Sequence, residues 1–237
     1  MSKKFPSLER TAVLVNRFIS AGSASMKPIT VAYLGLLDND RATGTRRAEE
    51  HLTRLAQAVV DASGYGLTIE MLSAGDAPAR RNVSADVIRT VLPLAGKPQA
   101  PWNAVSWQLP DALARIDLVH LHDGYSRLGE AALLAAKQSN LPICITEYGL
   151  TGHWLSTELE LTELADVVVC HSTEVARRLT TARPVEVVPC EVDPGRLGVP
   201  GVLPRQVSHE STGYQMAGQR LCALYQRLLS GAREAAA

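Results

Sequence analysis

Four short apolar segments in the second half of the chain, near residues 118–121, 142–146, 166–170 and 185–189, constrain the fold more than any other feature. Each closes in polar or small residues: His122, Asp123 and Gly124; Glu147, Tyr148 and Gly149; His171 and Ser172; Cys190 and Glu191. Helical stretches separate them, and strand–helix alternation of this kind predicts a doubly wound, parallel sheet. Right-handed crossovers between parallel strands then require helices on both faces. Ligands of open parallel sheets sit beyond the carboxyl ends of the strands, so the polar tips are where chemistry is expected. Only 44 residues follow Asp193. A second α/β domain needs on the order of 100.

The first half fits the same scheme. Residues 29–37 are apolar apart from Thr30 and read as a buried parallel strand. A polar loop leads to a helix over 45–62, whose Leu52, Leu55, Ala56, Val59 and Val60 form one apolar stripe. Gly64 and Gly66 end it. Further strands are expected at 67–72 and within 86–92. Four prolines and two tryptophans between residues 92 and 111 suggest a loop with one short helix. Later helices are expected at 127–139, 155–165 and 173–181. Residues 194–211, rich in proline and glycine, read as a linker. The last helix, 212–234, carries an apolar stripe of Met216, Leu221, Leu224, Tyr225, Leu228 and Leu229. The expected organisation is an extension (1–27), a single α/β domain (28–193), the linker (194–211) and a closing helix (212–237) that packs back on the domain.

Composition excludes several classes. Lys+Arg 24 equals Asp+Glu 24, so no basic excess favours nucleic acid. No apolar run reaches the roughly 20 residues of a membrane span, and the N-terminal 27 residues lack the roughly 7–15-residue apolar core of a secretory signal. A cytoplasmic protein is therefore expected. Cys144, Cys170, Cys190 and Cys222 are scattered without a Cys-x-x-Cys pair and read as reduced core thiols. No Gly-x-Gly-x-x-Gly or Walker pattern supports a dinucleotide or ATP site.

Six pieces, in order, carry a resemblance: the first strand; Gly44-Thr-Arg-Arg-Ala-Glu-Glu-His51; Asp117-Leu-Val-His-Leu-His-Asp123; Pro142-Ile-Cys-Ile-Thr-Glu-Tyr-Gly149; Ala165-Asp-Val-Val-Val-Cys-His-Ser172; and Val185-Glu-Val-Val-Pro-Cys-Glu-Val-Asp193. Together they resemble the N-terminal, acceptor-side domain of GT-B glycosyltransferases of the family-4-like group. The resemblance implies a Rossmann-like domain that in the family continues into a second, donor-binding domain and ends in a helix crossing back onto the first. Here that donor domain is missing between Val199 and Ser208, and the last helix resembles the family's closing helix. The family also has His where Tyr148 stands and Gly where Glu191 stands. Tyrosine, with a pKa near 10, is a poor base near neutral pH but hydrogen-bonds a hydroxyl.

The resemblance implies an acceptor side lined by Gly44, Thr45, Arg46, His122 and Tyr148, with no catalytic residue and no metal ligand of its own. The expected function is an acceptor half-domain, inactive as an isolated chain. It needs a donor-domain partner for glycosyl transfer, and takes a nucleotide sugar only through that partner. The rival expectation is a non-catalytic binding or regulatory protein that keeps the fold. A homodimer and a sugar or glycolipid acceptor are the other expected associations. Among individual residues, His120 and His122 are assigned to opposite faces of their strand, His120 to the core and His122 to the tip. Asp123 either orients His122 or caps the next helix, His153 offers a substitute for the family histidine, and Ser172 caps a helix. Glu147 and Glu191 stand at neighbouring strand ends.

Overall fold

The computed structural model describes residues 28–35, 43–64, 66–99, 103–122, 126–148, 161–190 and 211–236. The elements are β1 (Ile29–Leu34), α1 (Thr43–Ser63), β2 (Leu67–Gly75), β3 (Ala79–Asn82), β4 (Val87–Pro93), α2 (Leu109–Leu113), β5 (Leu118–Leu121), α3 (Arg127–Gln138), β6 (Ile143–Glu147), a 3-10 turn (Leu161–Leu164), β7 (Val167–Cys170), α4 (Thr173–Arg178), β8 (Val185–Val187) and α5 (Ser211–Ala236). The eight strands form one sheet in the order β3-β4-β2-β1-β5-β6-β7-β8. Every pair is parallel except β3 with β4.

Strand alternation splits the core into two layers. Val31 and Tyr33 of β1 face one side, where they meet Leu52, Leu55, Ala56 and Val59 of α1 and Leu221, Leu224 and Tyr225 of α5. Ala32 and Leu34 face the other, against Leu109 and Leu113 of α2 and Ala132 and Leu133 of α3. The apolar stripe of the last helix is thus buried against the sheet. α5 also crosses α1 closely at Gly218, where an added Cβ would meet the Ala58 carbonyl and lie 2.9 Å from the Ala58 Cβ.

Two of the motif pieces turn out to splice strands together. Asp117 Oδ2 accepts the Thr30 amide at 2.8 Å, and Asp166 Oδ2 accepts the Ile143 amide at 2.7 Å. Each aspartate just before a strand thereby satisfies an amide at the amino end of its neighbour. Ser126 and Ser172 cap α3 and α4, accepting from Gly129 N at 3.1 Å and Val175 N at 3.2 Å.

The sequence reading did not anticipate β3. Its residues, Ala79 to Asn82, are all exposed and carry no apolar signal. Pairing with β4 and ion pairs hold them: Arg81 with Glu49 at 3.6 Å and Arg80 with Glu70 at 3.5 Å. Glu70, buried on β2, also takes a two-pronged contact from Arg115 (3.1 and 2.6 Å) and the Thr90 hydroxyl at 2.5 Å. Burial pushes the Glu70 carboxyl up, but the Arg115 and Thr90 hydrogen bonds outweigh it and hold the group below the usual carboxylate range. Of the helix expected at 155–165, residues 151–160 lie outside the described residues and 161–164 form the 3-10 turn. All four cysteines are free and buried.

Candidate functional site

The direction of winding reverses between β1 and β5. On one side the chain steps out through β2 to β4, on the other through β6 to β8. The carboxyl ends of β1 and β5 therefore border the switch point, where a crevice opens in doubly wound sheets. His122 stands there, its amide bonded to Leu34 O at 2.7 Å.

Around it lies a cluster of imidazoles and phenols. His120 and His122 share one face of β5, their ring centroids 3.9 Å apart. The assignment of these two residues to opposite faces is thus corrected: residues two apart on a strand point the same way. His120 is a core residue, as expected. Its Nδ1 bonds the Tyr225 hydroxyl at 2.5 Å and its Nε2 the Thr146 hydroxyl at 2.6 Å. Tyr225 in turn bonds the Tyr33 hydroxyl at 2.8 Å, so α5 is tied to β1, β5 and β6 through one buried network. His122 Nδ1 meets the Tyr148 hydroxyl at 3.0 Å. Beyond Tyr148 stand His171, with ring centroids 4.9 Å apart, and His51, at 6.4 Å. His51 Nδ1 bonds the Tyr214 hydroxyl at 2.7 Å, and His171 Nδ1 bonds Val188 O at 3.0 Å.

Three ring nitrogens in this cluster are buried without a hydrogen-bond partner among the described residues: Nε2 of His51, of His122 and of His171. The Ser73 hydroxyl, near the carboxyl end of β2, is a fourth such atom. A buried polar atom left unmet costs about 1–3 kcal/mol, so four at one end of one sheet call for an explanation. Electrostatically the cluster is neutral. Burial, then repulsion from His171 and Arg54, pushes His51 down to about 3. Burial, then His171, brings His120 to about 3. Burial brings His171 to about 4, against a small opposing effect of its bond to Val188. Burial and the neighbouring histidines hold His122 well below the ordinary imidazole value. Burial raises both Tyr33 and Tyr225 well above the phenol value. None of these groups is a proton acceptor of useful strength near pH 7, but each neutral imidazole keeps one donor and one acceptor nitrogen.

Of the five residues expected to line an acceptor side, His122 and Tyr148 are brought together in direct contact. Gly44, Thr45 and Arg46 fall in the first turn of α1, and their side chains lie outside the described residues, as do Asp123, His153 and Glu191. Glu147 is buried. Sequence reasoning missed His51, Thr146, His171, Tyr214 and Tyr225 as members of one cluster. A signal existed for His51: it is a polar residue beside Leu52 and Leu55 on the buried stripe of a long helix. Among the described residues, no group of three or more His, Cys, Asp or Glu is placed to hold a metal ion. No described helix is long and apolar enough to cross a membrane.

Comparison with known proteins bears on this geometry. Residues 48–196 match the model of Glycosyltransferase Family 4. Among solved structures, a sucrose-phosphate synthase chain from Thermosynechococcus elongatus matches with 15% identity and a TM-score of 0.51. The match covers 84% of this chain and 98% of that one. MurG of Acinetobacter baumannii matches with 13% identity and a TM-score of 0.41, over 68% of this chain and 45% of that one. No curated protein matches the sequence.

Proposed function

The chain belongs to Glycosyltransferase Family 4, and from that premise we propose that it is an acceptor-side half-domain, which positions an acceptor hydroxyl and relies on another polypeptide for the nucleotide-sugar site. The observation that carries this reading is the path of the chain after β8. Only residues 188–210 separate β8 from α5, and α5 is packed on α1 and on the sheet. That interval is too short for a second α/β domain, which needs at least about 50 residues. In this reading residues 28–193 form the binding domain, residues 194–211 a linker, and 212–237 the closing segment, with 1–27 as an extension.

Glycosyl transfer requires the acceptor oxygen to be held in line with the activated sugar, and it requires charge stabilisation on the departing diphosphate. The first task suits His122 and Tyr148 at the switch point, with Gly44, Thr45 and Arg46 contributing from the first turn of α1. A helix start offers unpaired amides to a hydroxyl or anion. The second task needs cationic or amide groups facing a diphosphate, and the described cluster of neutral imidazoles and phenols supplies no cation. The same neutrality favours the second reading, a non-catalytic binding or regulatory protein, if no donor partner exists. The test is a turnover assay on the purified chain with nucleotide sugars, alone and with any donor-domain protein that copurifies from its native cells. Transfer only in the mixture supports the first reading, and no copurifying donor protein with no transfer supports the second.

A further inference from the structure

We propose that Tyr225 of the closing helix is a positioning residue for His122: its hydroxyl oxygen holds both of the rings that wall His122, and so fixes the orientation of this imidazole at the switch point. The inference rests on the acceptor-side reading for what His122 does. It adds that α5 is part of the site as well as its cover.

Two rings from different strands pack on His122. The His120 ring of β5 lies 3.9 Å away between centroids, inclined by 34°, and the Tyr33 ring of β1 lies 4.5 Å away, inclined by 55°. Both walls end on one atom. Oη of Tyr225 is 2.5 Å from His120 Nδ1 and 2.8 Å from the Tyr33 hydroxyl, and all three side chains are fully buried. His120 is also bonded at Nε2 to the Thr146 hydroxyl, at 2.6 Å. A ring held at both nitrogens cannot turn without breaking both bonds. His122 Nδ1 reaches the Tyr148 hydroxyl at 3.0 Å, a longer bond than either one to Tyr225. In a close-packed interior a ring turns only when its neighbours yield. Here one hydroxyl clamps two of those neighbours.

The protons of this chain can run in one of two orders. In the first, Tyr33 donates to Tyr225, Tyr225 donates to His120 Nδ1, and His120 Nε2–H donates to Thr146; in the second, every bond is reversed. A phenol, with a pKa of about 10, is a stronger acid than an aliphatic alcohol, so the order in which both phenols donate toward the imidazole has the stronger bonds. His120 is then held in a single tautomer, and burial keeps it neutral, as the chain requires. Linked hydrogen bonds polarise one another, so the central member matters most. Losing the Tyr225 hydroxyl removes two links and loosens both walls, whereas losing the Thr146 hydroxyl removes one link at the end. Packing alone asks only for the aromatic ring at position 225, on the buried stripe with Leu221 and Leu229. The hydroxyl is what the stripe does not need.

The experiment uses the full chain labelled with 15N-histidine, in which long-range 15N–1H spectra at neutral pH resolve the tautomer of each of the six histidines. The native chain is expected to show one His120 tautomer and one set of His122 resonances. Tyr225→Phe keeps the ring and is expected to shift both His120 and His122, leaving His122 broadened or in more than one set. Thr146→Val is expected to shift His120 and leave His122 in place. Leu229→Ala, one turn along α5, is expected to lower the melting temperature without moving His122, which separates positioning from a merely structural role. A mixed His120 tautomer in the native chain, a His122 spectrum unchanged in Tyr225→Phe, or an equal His122 shift in Thr146→Val or Leu229→Ala overturns the proposal. If Tyr225→Phe does not fold, Tyr33→Phe decides: it frees one wall and is expected to shift His122, and an unmoved His122 overturns the proposal. These spectra need neither substrate nor donor partner, so failure here leaves the half-domain reading intact, and that reading stands or falls on the transfer assay.

Discussion

Acid should unfold this protein sooner than its carboxylates alone would predict, because four imidazoles are buried neutral. His51, His120, His122 and His171 all have folded-state proton affinities below the ordinary value of 6.5, with His51 and His120 at about 3 and His171 at about 4. Below pH 6.5 the unfolded chain binds protons that the folded chain refuses. Stability therefore falls as pH drops from 6.5 toward the folded values, at about 1.4 kcal/mol per pH unit for each histidine. From pH 7 to pH 5 His51, His120 and His171 each contribute a loss of about 2 kcal/mol, about 6 kcal/mol together, and His122 adds to the loss in the same direction. That is comparable to the whole stability of a domain, about 5–15 kcal/mol. Glu70 lies outside this window, since its depressed carboxyl loses its contribution only below about pH 4.5. Urea unfolding followed by tryptophan fluorescence at pH 7, 6 and 5 measures the slope directly. A stability that stays flat between pH 7 and pH 5 would refute the burial of neutral histidines at the site.

Two glycines of α5 should respond in opposite directions. Gly218→Ala drives a Cβ into the Ala58 backbone of α1 and should cost about 1–3 kcal/mol, whereas Gly231→Ala, with nothing within 4 Å, should gain up to about 1 kcal/mol; thermal melts that shift the same way contradict the α1–α5 packing. Arg115→Ala leaves the buried Glu70 carboxylate without its two-pronged partner and should cost about 3 kcal/mol, while Arg80→Ala, at 3.5 Å and largely exposed, should cost under about 1 kcal/mol. Urea denaturation at pH 7 separates the two, and equal losses would remove the Arg115 contact from the account.

The sheet was legible because parallel strands buried on both faces write continuous apolar runs. Segments such as 118–121 and 67–72 need no partner information to be recognised. β3 was not legible, since Arg80, Arg81 and Asn82 carry a charged edge whose strand form depends on β4 and on Glu49 and Glu70 across the chain. The site was half legible. His122 and Tyr148 sit at strand tips, which topology alone marks as functional. His51 and Tyr214 arrive from helices distant in sequence, and only the crossing of α5 over α1 brings them to the sheet. Tyr225 belongs to the apolar stripe by its ring, while its hydroxyl bonds two buried partners that no helical periodicity encodes. The face shared by His120 and His122 was available from strand alternation alone.

The most direct test of the account is the isolated chain mixed with nucleotide sugars and a sugar or glycolipid acceptor, with release of nucleoside diphosphate as the readout. The account predicts no turnover above the protein-free rate until a separate donor-domain polypeptide is added. Sustained diphosphate release by the chain alone would contradict it, because a donor site would then have to lie within this one polypeptide.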